Sequence, residues 1–203
     1  MKALLINGSP HEHGCTYTAL HEMEKVLNAE GVETSLRYLG VQPIAGCIAC
    51  GKCKKTRRCI FSDQTNEILD ELDSIDAIVL GSPVYYAGPA GQLCAFLDRL
   101  FYSGGSRMAG KLGASVVSCR RGGATAAFDR LNKYFSICNM PIVGSQYWNQ
   151  IHGNTAEEAL QDEEGLQTMR TLAQNMAWLL KSIKAGEEPL PAYEHKLHTN
   201  FIR

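Results

Sequence analysis

The stretch DAIVLGSPVYYAG at residues 76–88 predicts the central strand of a sheet. Its apolar residues 77–80 follow one another without a polar interruption, which is typical of a strand covered on both faces. The Gly-Ser-Pro turn at residues 81–83 predicts the end of this strand. A long loop would then carry the remaining residues across the edge of the sheet.

Outside this stretch, strand and helix patterns alternate along the chain. Four more strands are predicted, at residues 2–6, 32–38 and 112–118 and beginning at 142–145. Apolar residues recur at helical spacing in five segments, around residues 20–27, 68–72, 92–102, 124–135 and 157–184. Such alternation predicts a three-layer α/β/α fold, in which a doubly wound, five-stranded parallel sheet is covered by helices on both faces.

Length and composition predict one globular domain. The chain has 203 residues, of which 45% are hydrophobic and 20% are charged, so it can bury a core of ordinary size. We expect residues 1–185 to form the domain, with a cysteine-rich loop at residues 40–62. We expect residues 186–203, which contain Pro189 and Pro191, to form an extended tail that contacts another subunit.

Charge and hydropathy exclude several classes of partner. The net charge of -1 gives no long-range attraction to nucleic acid or to an anionic membrane. No apolar run is long enough to span a bilayer, and the short run at residues 2–6 lacks the cleavage site of a signal peptide. We therefore expect a cytoplasmic protein, whose eight cysteines are metal ligands or redox groups rather than disulfides.

Ligands of open parallel sheets bind outside the carboxyl ends of the strands, and three predicted loops there are unusual. The first, NGSPHEHGCT at residues 7–16, places small hydroxyl residues and free backbone N–H groups at the start of a helix, where an anion is favoured. The alternative is an ordinary helix cap by Ser9 or Thr16. The glycine patterns of Rossmann dinucleotide sites and of P-loops do not occur in the sequence.

The second and third loops suit a flat aromatic ligand. In the second, Tyr85 and Tyr86 lie between Pro83 and Gly88, where they would flank a heteroaromatic ring or, alternatively, pack in the core or against a second subunit. The third, SCRRGG at residues 118–123, has glycines that allow a ligand to approach the backbone closely. Its arginines would stabilise an anionic ring or simply be solvated.

Together, the three loops resemble the NADPH-dependent FMN reductase branch of the flavodoxin-like superfamily, which includes the iron–sulfur flavoproteins. The resemblance runs from Met1 to about Gly165 and includes the end of the tail, Thr199–Arg203. It implies a flavodoxin-like fold, bound FMN, NAD(P)H as co-substrate, and a homodimer or dimer of dimers with the flavin near the subunit boundary. Members often have a basic residue at the position of His11 and Asn at the position of Cys15.

By this resemblance, the three loops contact different parts of FMN. The phosphate would be bound by Ser9, His11, Gly14, Cys15 and Thr16. The ring would be flanked by Pro83, Val84, Tyr85, Tyr86, Ala87 and Gly88, and its other edge by Ser118, Arg120, Gly122 and Gly123. Because the cofactor performs the chemistry, no catalytic side chain is needed for the first electron transfer.

The cysteine-rich loop predicts a metal centre. Cys47, Cys50, Cys53 and Cys59 have the spacing C-x2-C-x2-C-x5-C, and four thiolates this close in sequence can converge on one centre. The run is too compact for paired zinc knuckles, and it differs from ferredoxin runs in its last spacing. It resembles the motif of iron–sulfur flavoproteins, which implies a [4Fe–4S] cluster. Bound zinc and four reduced cysteines without metal are the alternatives.

Other residues have two interpretations each. The basic residues Lys52, Lys54, Lys55, Arg57 and Arg58 would offset the negative charge of a thiolate centre and attract an acidic electron-carrier protein. His11 and His13 would protonate a substrate or be solvated. Trp148 and His152 would line a substrate pocket or pack the connection to the last helix.

The function predicted from these features is that of an FMN-dependent NAD(P)H oxidoreductase. It would pass electrons to a quinone, to another small molecule or to an iron–sulfur acceptor. The alternatives are a non-enzymatic electron carrier and a metal-binding module that keeps the fold without the flavin.

Overall fold

A mostly parallel sheet forms the middle layer of the protein. The computed structural model describes residues 1–186, 188–194, 197 and 199, and within them the sheet has six strands. They are β1 (Lys2–Asn7), β2 (Glu33–Tyr38), β3 (Ala77–Tyr85), β4 (Gly88–Pro89), β5 (Leu112–Cys119) and β6 (Gln150–His152). Five of the described strands are parallel, in the order β2-β1-β3-β5-β6, and β4 pairs only with the end of β3, in the antiparallel direction.

Helices cover both faces of the sheet. They are α1 (Cys15–Ala29), α2 (Cys53–Thr56), α3 (Gln64–Glu71), α4 (Gly91–Gly104), α5 (Ala124–Ile137), α6 (Ala156–Ala159) and α7 (Glu163–Gly186). Short 3-10 turns at Leu72–Ser74 and Gly105–Arg107 follow α3 and α4. Helices α1 and α7 pack on one face, and α3, α4 and α5 pack on the other.

The side chains of the central strands explain these layers. In β1, Leu4 and Ile6 belong to the core beneath α3, α4 and α5, whereas Ala3 and Leu5 belong to the core beneath α1 and α7. Because successive side chains of a strand point to opposite faces, a strand buried on both faces needs an unbroken apolar run. The predicted doubly wound, flavodoxin-like α/β/α fold is thus confirmed.

The predicted end of β3 was wrong. The Gly81-Ser82-Pro83 segment continues the strand, because Gly81, Ser82 and Pro83 pair with Val116, Val117 and Ser118 of β5. Pro83 has no N–H to donate, and such a residue is tolerated where regular pairing ends. The chain then turns back in a hairpin, since Val84 pairs with Pro89 and Tyr85 with Gly88.

The last strand begins later than predicted. Ile142 forms only an isolated bridge to Gly113, and regular pairing with β5 starts where Val117 meets Gln150. Between these two pairings the chain runs eight residues, from 142 to 150, whereas β5 runs only four, from 113 to 117. The extra residues therefore leave the sheet. The hydroxyl of Ser145 stabilises this excursion by donating to Asn149 Oδ1 at 2.8 Å.

The long helix predicted at residues 157–184 is divided into α6 and α7. Asp162 separates them, because its carboxylate accepts N–H groups from His152 at 2.6 Å and from Gly165 at 2.9 Å. In the described part of the chain, no helix is both long enough and apolar enough to cross a bilayer.

The tail after α7 has no regular secondary structure at residues 188–194, 197 and 199. Residues 187, 195, 196, 198 and 200–203 lie outside the described residues. Most of the tail-end resemblance, Thr199–Arg203, therefore falls there, and the predicted subunit contact of the tail stays a prediction.

Candidate functional site

A cavity of about 520 Å³ opens at the carboxyl ends of β1, β3 and β5. All three predicted loops contribute to it, as does the connection between β6 and α6. Its described lining consists of Ser9, His11, His13, Gly14, Cys15, Thr16, Pro83, Tyr85, Ser118, Gly153, Asn154, Thr155, Ala156 and Glu157. A cavity of this size and place is what the topology of an open parallel sheet predicts for a ligand.

The first loop is held rigidly by its own side chains. Asn7 is fully buried, and its amide accepts the Ser9 N–H at 3.1 Å and donates to the Glu12 carbonyl at 2.9 Å. Tyr38, at the end of β2, donates its hydroxyl to the Pro10 carbonyl at 2.8 Å. The loop therefore keeps one conformation as it leaves β1 and enters α1.

The start of α1 has no side-chain cap among the described residues. The N-cap position is Gly14, the Ser9 hydroxyl accepts the His11 N–H at 3.0 Å, and the Thr16 hydroxyl pairs with Ser118 Oγ at 2.8 Å. The prediction that Ser9 or Thr16 merely caps the helix was therefore wrong. First-turn N–H groups lack intrahelical acceptors, so this helix start favours an anion.

The cavity lining is poor in cations. No described lining residue is Lys or Arg, and the ionisable side chains present are His11, His13, Cys15, Tyr85 and Glu157. Burial raises the pKa of the Cys15 thiol, whose sulfur donates to the Thr155 carbonyl at 3.1 Å. An anion in this cavity would thus be bound mainly by backbone N–H groups and hydroxyls.

The second loop is a tight hairpin with a strained turn. Tyr86 and Ala87 form its two central residues, and both are left-handed, with φ of 49° and 59°. Two-residue hairpin turns favour this geometry, but residues other than glycine adopt it at a cost of about 1–3 kcal/mol each. Ser82 fixes the base of the hairpin, because its hydroxyl accepts the Ala90 N–H at 2.9 Å and donates to the Pro83 carbonyl at 2.8 Å.

The third loop packs against this hairpin. Gly123 has a φ of 89°, and a Cβ there would lie 3.0 Å from Ala87 Cα and 3.1 Å from Val84 Cγ1. Glycine is therefore needed at this position for two reasons, the left-handed backbone and the close approach. Arg120 and Arg121 are exposed, and neither guanidinium has an ion-pair partner in the part of the chain that the structure describes.

The residues predicted to contact FMN fall into two groups. Those that line the cavity are Ser9, His11, Gly14, Cys15, Thr16, Pro83, Tyr85 and Ser118. Those on the adjoining hairpin and third loop are Val84, Tyr86, Ala87, Gly88, Arg120, Gly122 and Gly123. Tyr86 is fully exposed at the tip of the hairpin.

The segment at residues 153–157 was missed by the sequence analysis. It lines the cavity and contacts the start of α1, since the Cys15 thiol donates to the Thr155 carbonyl, and Thr155 caps α6 by accepting the Glu158 N–H at 3.3 Å. The Thr-x-x-Glu pattern of a capping box could have indicated that a helix begins there. Trp148 and His152, by contrast, line a separate cavity of about 50 Å³ and are not among the described lining residues of the main cavity.

The thiols of the four cysteines in the cysteine-rich loop do not converge on one point. Cys47 and Cys50 are exposed, Cys53 begins α2, and Cys59 is half-buried, and none forms a disulfide with a described residue. Within residues 1–186, 188–194, 197 and 199, no group of three His, Cys, Asp or Glu side chains is close enough to hold a metal ion. Because a bound metal is what draws separate thiols together, the donor set suits a thiolate centre although the arrangement is not preformed.

Arg99 on α4 was also missed, because a lone arginine within an apolar helix gives no signal in the sequence. Its side chain is 1% exposed. It forms a bidentate pair with Asp63 and donates to Cys59 Sγ at 3.1 Å. Burial opposes ionisation of Asp63, but hydrogen bonds from Arg99 and from the Thr65 N–H outweigh it and hold the pKa of the carboxyl below its ordinary value.

Comparisons with known proteins agree with this architecture. The profile of the NADPH-dependent FMN reductase family matches residues 1–155. An iron-sulfur flavoprotein of Methanocaldococcus jannaschii is 32% identical over 192 residues, which cover 91% of this chain and 100% of that protein. An iron-sulfur flavoprotein of Methanosarcina thermophila is 28% identical over 193 residues, covering 93% and 100%.

Solved structures show the same fold. A flavodoxin from the domain Archaea superposes with a TM-score of 0.61 at 18% identity, covering 89% of this chain and 99% of the flavodoxin. RosB, whose structure contains the intermediate 8-demethyl-8-formylriboflavin-5'-phosphate, superposes with a TM-score of 0.66 at 12% identity, covering 100% and 94%.

Proposed function

The chain belongs to the NADPH-dependent FMN reductase family, and we propose that it takes electrons from NAD(P)H through bound FMN. It would pass them to a quinone, to another small molecule or to an iron–sulfur acceptor. The observation that carries this proposal is the 520 Å³ cavity, which is lined by the uncapped start of α1 and by Thr16 and Ser118, whose hydroxyls pair with each other.

The residues of the cavity have distinct roles in this proposal. The first-turn N–H groups of α1, with the hydroxyls of Ser9 and Thr16, would hold the phosphate. The hairpin around Tyr85 and the third loop would flank the ring. Because Gly123 interlocks these two loops, they are positioned before the ligand arrives, which reduces the entropy lost on binding. When bound, FMN supplies hydride and single-electron chemistry.

The protein would contribute no acid, base or nucleophile to the first step. Burial raises the pKa of the Cys15 thiol, and that of the Cys119 thiol as well, so both are held protonated, whereas a nucleophilic cysteine needs its thiolate form. His152 Nδ1 lies 3.2 Å from the Cys119 carbonyl and outside the main cavity. In this proposal the two thiols and His152 therefore take no part in the first step, and the side chains of the site bind and orient the cofactor.

The four cysteines of the loop at residues 40–62 would hold an iron–sulfur cluster, as the names of the curated relatives suggest, and the resemblance of their spacing implies the [4Fe–4S] type. Such a cluster, when bound, exchanges one electron at a time. Lys54, Lys55 and Arg57 are exposed beside these thiols. They would offset the charge of the cluster and attract an acidic electron-carrier protein.

A non-enzymatic electron carrier is the second candidate. The exposed basic residues beside the cysteines favour it, because they form a docking surface that a small-molecule reductase does not need. The two candidates differ in one respect, since only the reductase reacts rapidly with NAD(P)H. In either case we place the protein in the cytoplasm, as a homodimer or dimer of dimers without nucleic-acid or membrane partners.

The test is stopped-flow reduction of the FMN-loaded protein by NADPH and by NADH under anaerobic conditions. A reductase shows flavin reduction that is saturable in nicotinamide and at least a hundredfold faster than reduction of free FMN. A rate equal to that of free FMN, with rapid reduction by an acidic redox protein, would instead support the carrier.

A matched pair of threonine variants tests the site itself. Thr16→Val removes the hydroxyl that pairs with Ser118, and Thr168→Val removes an equally buried hydroxyl that donates to the Glu164 carbonyl of α7, away from the cavity. We expect FMN binding to be at least about tenfold weaker in Thr16→Val, since one hydrogen bond to a charged group contributes about 1.5–3 kcal/mol. Equal affinities in the two variants would contradict the assigned site.

A further inference from the structure

Arg99 joins the cysteine-rich loop to the body of the protein at both ends. Its Nε donates to Cys59 Sγ at 3.1 Å, one terminal nitrogen donates to the Ala45 carbonyl at 3.2 Å, and both terminal nitrogens donate to Asp63, at 2.7 and 2.8 Å. Ala45 precedes the first cysteine of the loop, and Asp63 follows the last. One buried side chain therefore contacts the loop before, at and after its thiols.

The geometry requires an arginine. The guanidinium carbon lies 4.9 Å above the centre of the Phe61 ring, and the donors on three nitrogens serve three acceptor groups in different directions. A lysine ammonium carries the same charge but lacks the planar fork and the Nε donor. An ion pair with Asp63 alone would leave the sulfur and the carbonyl without these contacts.

Cys59 is held through its backbone as well as its sulfur. Its N–H donates to Asn66 Oδ1 at 2.9 Å, and the Asn66 amide donates to the Cys59 carbonyl at 3.1 Å and to the Phe61 carbonyl at 2.8 Å. Asn66 belongs to α3 and is itself buried. Two helices, α3 and α4, thus fix the position of this one cysteine.

The other three cysteines have no comparable restraint among the described residues. Cys47 and Cys50 are exposed in a segment without regular structure, with left-handed residues at Ala49 and Gly51, and Cys53 begins the four-residue helix α2. The loop is therefore asymmetric, with one thiol placed by the body of the protein and three on an exposed segment.

From this asymmetry we propose that Arg99 is the positioning residue of the thiolate centre. It fixes Cys59 as the ligand to which Cys47, Cys50 and Cys53 are recruited, and its Nε–H donates a hydrogen bond to the sulfur. This inference rests on the cluster of the proposed function. Hydrogen bonds to cluster sulfurs are one of the factors that set reduction potentials, and a donor from a cation stabilises the more negative, reduced form.

The experiment compares Arg99→Lys with Arg107→Lys. Arg107 is a matched control, because it also pairs with an aspartate, Asp73, and donates to a backbone carbonyl, that of Leu69, yet contacts no cysteine. Both variants keep the charge. They are purified anaerobically as full chains with FMN, and the cluster is reconstituted with ferrous iron and sulfide.

Two measurements are made. Hydrogen exchange of the metal-free chain should be at least tenfold faster in the peptide containing Cys59 in Arg99→Lys, and unchanged in Arg107→Lys. In the iron-loaded proteins, the equilibrium constant for reduction of the cluster should fall at least tenfold in Arg99→Lys, which corresponds to about 59 mV for one electron. Flavin content should be equal in all three proteins.

The outcomes separate this inference from the proposed function. Unchanged exchange at Cys59 in Arg99→Lys, or a reduction potential equal to that of Arg107→Lys, overturns the role of Arg99 even where the wild type holds iron. A wild-type chain that takes up no iron overturns the proposed cluster and, with it, the ligand role of Cys59. Neither result affects FMN binding.

A second variant covers the case in which Arg99→Lys does not fold. The double substitution Arg99→Met with Asp63→Asn removes both charges together, so no unpaired charge stays buried, and Asn still serves as the N-cap of α3. The same faster exchange and lower potential are expected. Wild-type values in this folded variant would overturn the inference.

Discussion

Gly123→Ala tests whether the interlocked hairpin and third loop prepare the flavin site. The added methyl would lie 3.0 Å from Ala87 Cα and 3.1 Å from Val84 Cγ1, closer than ordinary van der Waals contact. The Ala87 neighbour is backbone, so it cannot rotate away as a side chain would. The substituted residue must also keep a φ of 89°, or the third loop must change its path.

The expected magnitude follows from these two effects. A residue with a side chain in a left-handed conformation costs about 1–3 kcal/mol, and the hairpin must shift by a few tenths of an ångström to relieve the contact. We expect the free energy of unfolding to fall by about 1–3 kcal/mol. We expect FMN to bind about tenfold more weakly, which corresponds to about 1.4 kcal/mol.

Gly144→Ala is the control for this prediction. Gly144 is not among the predicted FMN contacts, its φ is not positive, and nothing lies within 4 Å of the Cβ that would be added. The assay is urea denaturation of the apoprotein, followed by titration of FMN fluorescence with each variant. FMN affinities that are equal in Gly144→Ala and Gly123→Ala would refute the reasoning, whatever their effects on stability.

Three further predictions concern other parts of the molecule. Asn7→Ala leaves the Ser9 N–H and the Glu12 carbonyl without their buried partner, so we expect a loss of about 1–3 kcal/mol in urea denaturation, while Asn28→Ala, at an exposed position, loses less than about 0.5 kcal/mol. Burial opposes ionisation of Glu22, but hydrogen bonds from Lys25 and Arg170 hold its pKa below the ordinary value. Its stabilising effect is therefore present above about pH 4 and lost as the pH falls through the lowered pKa. The free energy of unfolding of Glu22→Gln should be lower than that of the wild type by about 0.5–1 kcal/mol at pH 7 and by less at pH 3. An equal difference at both pH values would contradict this prediction. Charge reversal at Lys54 and Lys55 should slow electron exchange with an acidic redox protein about tenfold at low salt and leave reduction by NADPH unchanged in stopped-flow.

Much of the fold could be predicted because local and global preferences agree in the central strands. The apolar run of β3 is needed for burial on both faces, and it is visible in the sequence without knowledge of its neighbours. The last strand was placed too early because Ile142 and Val143 are apolar in themselves. Only the pairing with β5 shows that the chain leaves the sheet between them and Gln150.

The candidate site was predicted only in part, for a related reason. Loops that follow a strand and contain Gly, Ser and Thr can be recognised one at a time, and they supplied most of the cavity. The contributions of residues 153–157 and Arg99 depend on which segments meet in space. Arg99 is buried because Asp63 and Cys59, which are 36 and 40 residues away in sequence, supply its partners, and no local pattern indicates that.

The central claim is that the uncapped start of α1 binds the phosphate of FMN. The most direct measurement compares the affinities of the apoprotein for FMN and for riboflavin, which lacks the phosphate, by flavin fluorescence at fixed pH and salt. We predict that FMN binds at least a hundredfold more tightly, a difference of about 2.7 kcal/mol. Equal affinities for the two flavins would contradict the account, because the phosphate, and with it the helix start, would then contribute nothing to the binding free energy.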